Sequence, residues 1–278
     1  MYTRSRDSGL FGIITAESHN RIADGKMSSG MCDDCFKAVR HEGTAEGKLE
    51  TIGGVECYVA TPAGDYPRNK VLLFCSDIFG IYLVNNKLLA DDFARNGIKT
   101  IIPDYLYGDP ITDDMYSGKV PFNRDEWMSK HTPEQTRPYL DKVIASLKDQ
   151  GVTDFGTAGY CFGAPYCFAL AFEGIAKAVM VAHPSRLQVP GDFEKYLTVS
   201  KAPLLINSCE VDAAFNQEAQ AKADEILGGG KFKPGYERLY WEGCRHGFAV
   251  RGDMSDPKVK TGKEGAFKSS VEFFKKHL

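Results

Sequence analysis

The stretch Phe155-Gly156-Thr157-Ala158-Gly159-Tyr160-Cys161-Phe162-Gly163-Ala164-Pro165 carries no charge and runs straight into a second apolar segment, Tyr166-Cys167-Phe168-Ala169-Leu170-Ala171-Phe172. The first half reads as a buried strand and the second as a helix, so Cys161 falls on the turn between them. Glycine two residues to either side has a physical reason. On a sharp strand-to-helix turn, side chains at 159 and 163 would collide with the neighbouring strand and helix. The turn also sets Cys161 at a helix N-terminus, where the peptide dipoles favour a thiolate. Glycine-flanked buried cysteines are common as simple packing, so the pattern gains its weight from what surrounds it.

Outward from this turn the chain alternates. Apolar runs at 71–75, 99–103, 155–160, 176–182, 203–209 and 237–241 are strand candidates, with amphipathic stretches between most of them. That rhythm predicts an α/β fold, a mostly parallel sheet with helices on both faces. Ahead of it, the runs LETI and VECYVA are joined by Gly53-Gly54 and read as an N-terminal β-hairpin. Thr132-Pro133-Glu134-Gln135 predicts a helix start and Gly151 its stop. The segment from Tyr105 to His131 breaks the rhythm with four glycines and prolines and five aromatic residues, which suits a lid or a surface excursion packing its own rings.

Downstream of Cys161, Asp212 follows the run at 203–209 and His246 follows the run at 237–241. Both therefore sit past C-terminal strand ends, where open α/β sheets bind ligands. Nucleophile, acid, base is also the chain order of α/β-hydrolases. Asp212 would fix the tautomer of His246; Glu210, two residues earlier, is the alternative acid. The loop Ser76-Asp77-Ile78-Phe79-Gly80 follows an early strand, where a second oxyanion donor belongs. The backbone N–H groups of Ile78 and Phe162 are accordingly the candidate donors.

With 278 residues and a formal net charge of −3, the chain suits one large domain and shows no basic face for nucleic acid. No apolar stretch approaches the roughly 20 residues of a membrane span. Eight cysteines, several inside apolar runs, point to reduced thiols in the cytosol rather than a disulfide scaffold. Residues 1–38 are expected to form a flexible leader and 39–278 the domain; Asp7, Glu17 and Asp24 argue against a transit peptide.

Gly159-Tyr160-Cys161-Phe162-Gly163, Asp77-Ile78-Phe79-Gly80, the run PDYLYGDP at 103–110 and His246-Gly247-Phe248 together resemble the dienelactone hydrolase family, especially its eukaryotic and fungal branch. The run HEGT at 41–44 followed by Gly47-Lys48 fits as well, and the resemblance extends from about Val39 to the C-terminus. It implies an α/β-hydrolase fold without metal or cofactor, acting on a small-molecule lactone or ester as a monomer or homodimer. A cysteinyl thioester intermediate and a triad of Cys161, Asp212 and His246 follow from it. Bacterial members carry a thiol-controlling glutamate where this chain has Asp77, one methylene shorter. Their arginine four residues after the histidine is Val250 here, with Arg251 adjacent, so that substrate clamp does not carry over.

His183 ends a strand on the same side of the sheet and is a candidate for lining the site, as is Phe248; capping its own loop is the structural alternative for His183. Cys32 and Cys35, with His41 and Cys57, match no standard zinc spacing. Two rival functions use the same residues. One is a thiol-dependent acyltransferase, separated by partitioning between water and an added acceptor. The other is a non-catalytic binding or redox-responsive protein, separated by an unreactive Cys161.

Overall fold

The structure, a computed structural model, describes residues 39–278; the expected leader, with Cys32 and Cys35, lies outside the described residues. Gly53 and Gly54 take φ of 58° and 78°, the two left-handed positions that a tight hairpin turn needs. They join β1 (Lys48–Ile52) and β2 (Val55–Ala60), which pair antiparallel. The remaining strands are β3 (Lys70–Cys75), β4 (Thr100–Pro103), β5 (Asp154–Tyr160), β6 (Ala176–Ala182), β7 (Leu204–Val211) and β8 (Tyr236–Arg245). Between and after them lie α1 (Val84–Arg95), α2 (Asp113–Tyr116), α3 (Arg124–Lys130), α4 (Pro133–Asp149), α5 (Ala164–Phe172), α6 (Gly191–Val199), α7 (Gln217–Leu227), α8 (Phe248–Arg251) and α9 (Pro257–His277).

One eight-stranded sheet runs in the order β1-β2-β4-β3-β5-β6-β7-β8. β2 joins β4 antiparallel, and every pair from β4 to β8 is parallel. The chain steps one way from β3 to β4 and the other way from β5 onward. The C-terminal ends of β3 and β5 therefore flank the topological switch point, where such sheets open a crevice.

Both faces are covered, which is why the strands read as unbroken apolar runs. In β3, Val71, Leu73 and Cys75 pack toward α4 and α5, with Leu140, Val143 and Phe168 among their cluster. Leu72 and Phe74 point the other way, into a cluster holding Phe93 of α1 and Phe267, Val271 and Phe274 of α9. Each such buried side chain contributes about 1.5–3 kcal/mol of transfer free energy. The start of α4 is as its sequence predicts: Pro133 opens it, and the Gln135 side chain accepts from the Thr132 N–H at 3.1 Å.

The irregular segment before α4 packs its own rings. His131 is stacked between Trp127 (3.8 Å between centroids) and Tyr107 (4.9 Å), and the Trp127 indole N–H donates to the Asp109 carbonyl at 2.9 Å. Trp127 and Tyr105 then lie against the ring of Phe162, directly behind Cys161. Tyr116 at the end of α2 meets Phe79 edge-on and joins the wall of the cavity beside His246.

Candidate active site

Five strand ends assemble the site, and their registers explain why. Cys75 of β3 lies opposite Gly159 of β5, so Ile78 and Phe162 stand at equal offsets past two neighbouring strands. Tyr160 lies opposite Ala182 of β6, which brings Cys161 beside His183. Ala182 lies opposite Asn207 of β7, and Val211 opposite Arg245 of β8.

Cys161 has φ of 49°, in the left-handed region that a side chain seldom occupies without surrounding support. The flanking glycines show what provides it. A Cβ on Gly163 would stand 2.0 Å from the Cys75 carbonyl oxygen, and one on Gly159 would stand 2.8 Å from the Cys167 sulfur. The elbow is thus packed against the Cys75 backbone on one side and the Cys167 side chain on the other. Ser185, after β6, donates its N–H to the Cys161 carbonyl at 3.1 Å, and its Oγ lies 3.6 Å from Sγ.

His246 Nδ1 lies 2.9 Å from each oxygen of Asp212. Asp212 is buried, and its Oδ1 also accepts from the N–H groups of Ala214 and Phe215 at 2.9 and 3.0 Å. Glu210 is exposed and accepts instead from the Gly243 N–H at 2.7 Å. Of the two carboxylates, Asp212 is the one that meets His246. Burial pulls the His246 imidazolium down, but the hydrogen bond it donates to Asp212, the nearby Cys161 sulfur and the charges of both outweigh it, pushing it up to about 10.

His183 is fully buried, with its ring 5.0 Å from that of His246 and 5.7 Å from that of Phe248. It backs the imidazole rather than facing open space, and burial, followed by the charge of His246, holds it well below the ordinary histidine range. Asp77 is also buried, but its Oδ1 accepts from Asn86 Nδ2 at 2.9 Å and from the Phe79 N–H at 3.1 Å, while Oδ2 lies 4.0 Å from Arg251 Nε. Burial pushes this carboxyl up, against the pull of Asn86 and Arg251. Its hydrogen bonds thus go to α1 and its own loop, and its ion pair to α8.

A cavity of about 410 Å³ opens beside His246, with Tyr116, Arg245, Phe248, Arg251 and Val259 in its wall and Cys161 outside it. Arg251 crosses that wall with its guanidinium against both rings of the Phe79–Tyr116 pair, at 4.2 and 4.6 Å. Val250, by contrast, is buried, and its carbonyl takes hydrogen bonds from Asn85 Nδ2 and Lys263 Nζ, both at 3.1 Å. Sequence reasoning passed over Ser185 and Tyr116. The signal for Ser185 was its place just past β6, next to the nucleophile strand.

A glycine-framed cysteine elbow at the switch point, with Asp212 and His246 just past the ends of β7 and β8, is the arrangement of the α/β-hydrolase class. The chain superimposes on the putative dienelactone hydrolase of Klebsiella pneumoniae with a TM-score of 0.63 at 18% identity, covering 80% of this chain and 92% of that one. Residues 55–278 match the dienelactone hydrolase family; the chain belongs to it and is a hydrolase of that type. It is 32% identical over 245 residues to the hydrolase pyvD of Aspergillus violaceofuscus, spanning 88% of this chain and 96% of that protein. With dienlactone hydrolase 1 of Gibberella moniliformis it shares 32% over 247 residues, 86% of this chain and 91% of the other.

Proposed function

We propose that the protein opens a small-molecule lactone or ester through a thioester on Cys161, with His246 as proton carrier, Asp212 as its orienting acid and the N–H groups of Ile78 and Phe162 as oxyanion donors. The observation that carries this reading is the geometry of His246, held at 2.9 Å by both oxygens of a buried Asp212, with Cys161 among the groups that raise its imidazolium.

Sγ adds to the carbonyl carbon, and the negative charge moves to oxygen between the two N–H groups; losing one such donor costs about 3 kcal/mol. The imidazolium then protonates the departing enolate or alkoxide oxygen, leaving the thioester. At this point Cys161 carries no charge, so two of the influences that raise the imidazolium are gone. The neutral ring is left to take a proton from water as it attacks, and Sγ departs as thiolate. Good leaving groups such as enolates suit this sequence. The six cysteines among the described residues are all unpaired thiols, which supports a reducing compartment, the cytosol.

The test is hydrolysis of a dienelactone and an activated aryl ester by wild type and Cys161→Ala, with mass detection of an acyl adduct on the Cys161 peptide. Loss of both activities and of the adduct supports the reading. Unchanged turnover in Cys161→Ala overturns it.

A further inference from the structure

We infer that Ser185 is a further catalytic residue, whose hydroxyl donates a hydrogen bond to the Cys161 sulfur and stabilises it as the attacking thiolate. This rests on the reading of Cys161 as nucleophile.

The residue grips Cys161 at both ends. Its N–H donates to the Cys161 carbonyl at 3.1 Å, and its Oγ stands 3.6 Å from Sγ. The first bond holds the left-handed backbone of Cys161; the second reaches the reacting atom. The loop is wound to make this possible, with His183 and Arg186 on either side of the Pro184-Ser185 pair at φ of 36° and 63°. Two left-handed side-chain-bearing residues so close together are held only where the surroundings over-determine them.

Chemistry decides the direction of the bond. A neutral thiol and a hydroxyl can each donate to the other, whereas a thiolate can only accept. The contact therefore favours the ionised sulfur over the neutral one. A hydroxyl has a further advantage here, since it does not titrate in the working range. His246 must surrender its proton to the leaving group, and Ser185 remains on the sulfur throughout.

The other groups around Cys161 leave this task open. His246 faces Sγ from the end of β8 with Asp212 behind it. His183, from the end of β6, is buried against His246 and kept neutral. The Arg186 guanidinium lies 4.5 Å over the Phe162 ring. Asp77, after β3, spends its oxygens on Asn86, Phe79 and Arg251. Among the described residues, the side chain within hydrogen-bond distance of Sγ is thus that of Ser185, and His246 acts on the sulfur through its charge.

The experiment follows alkylation of Cys161 by iodoacetamide in the full chain, read by mass on the Cys161 peptide, for wild type, Ser185→Ala and Ser185→Thr. Thermal unfolding of each variant is recorded alongside. In Ser185→Ala the rate at about pH 6 is expected to fall about three- to tenfold and to converge on wild type in alkali, where the sulfur is ionised regardless. Ser185→Thr, which keeps the hydroxyl, restores the rate. Equal rates for Ser185→Ala and wild type at every pH overturn the inference. So does a loss of the same size at every pH, or one that Ser185→Thr fails to repair, because either marks a structural role. Hydrolysis by Cys161→Ala separates the two levels: activity there removes the nucleophile itself, whereas its loss with an unchanged Ser185→Ala profile removes only Ser185.

Discussion

The backbone N–H of His246 donates to the carbonyl of Val211 at 2.9 Å. Val211 is the last residue of β7 and the immediate neighbour of Asp212, so one more step of the β7–β8 ladder sets base and acid side by side. The pairing of their side chains is thus a continuation of sheet register and needs no long loop to find it.

Asp212→Asn keeps the shape of this pair but removes the charge and favours the wrong imidazole tautomer. The turnover number on an aryl ester is expected to fall about 10³–10⁴-fold, as such a change does in hydrolytic triads. A loss below about tenfold would return Glu210 to consideration.

His246 also sets a pH dependence. Its imidazolium is raised from the ordinary 6.5 to about 10. The stability this pairing contributes is therefore fully present below about 6.5 and is lost as pH rises through about 10. Acylation needs the imidazolium as acid, so kcat/KM should hold through neutrality and decline in the same alkaline range. Imidazole NMR of Cys161→Ala should show a lower titration than wild type, because one of the two partners raising it is gone; an unchanged midpoint would mean that Cys161 does not face His246.

Gly163→Ala forces a Cβ to within 2.0 Å of the Cys75 carbonyl oxygen. Neither backbone can yield cheaply, and a loss of about 2–4 kcal/mol in denaturant unfolding is expected. Gly64 is the control: it has φ of 79° with nothing within 4 Å of its would-be Cβ. Alanine there should cost about 1 kcal/mol, from backbone strain alone. Similar losses at both positions would count against the packed elbow.

Lys263 is 2% exposed, and burial lowers its ammonium to about 8 although Asp92 pulls the other way. Folding therefore disfavours the charged form, and the unfolded chain binds the extra proton between about 8 and the ordinary 10.5. Stability should rise with pH across that window by roughly 3 kcal/mol relative to Lys263→Met. Parallel stability curves for the two proteins would show that the lysine is not desolvated.

Arg251 is the cation against the rings of Phe79 and Tyr116 in the cavity wall beside His246. Arg251→Met is expected to raise KM about tenfold or more for a lactone bearing a carboxylate, with little change for a neutral aryl ester. Equal effects on both substrates would assign Arg251 to packing alone.

Much of this site was legible because strand ends are legible. Asp212 and His246 stand a few residues past apolar runs that read as strands, and the glycines around Cys161 declared a turn. The hairpin followed from Gly53-Gly54, since few other pairs tolerate two left-handed positions. What stayed hidden depends on which strands are neighbours. Ser185 belongs to the site only because β6 adjoins β5, a fact of register that no local pattern carries. The direction of Asp77 was hidden for a related reason, since its partners Asn86 and Arg251 arrive from α1 and from α8. The segment before α4 was open between two readings; its rings stack on one another and on Phe162, as the second has it, and Tyr116 lines the cavity beside His246.

The strained φ at Cys161 belongs to the main chain, and so does the tightest contact beside it, that of Gly163 with the Cys75 carbonyl. Where the Cβ of residue 161 stands is therefore decided before any choice of the atom attached to it. Sulfur and oxygen would occupy the same perch at the same conformational cost. An exchange of cysteine for serine is then a change of reagent within a finished mould, open to evolution in a single codon without any renegotiation of the fold.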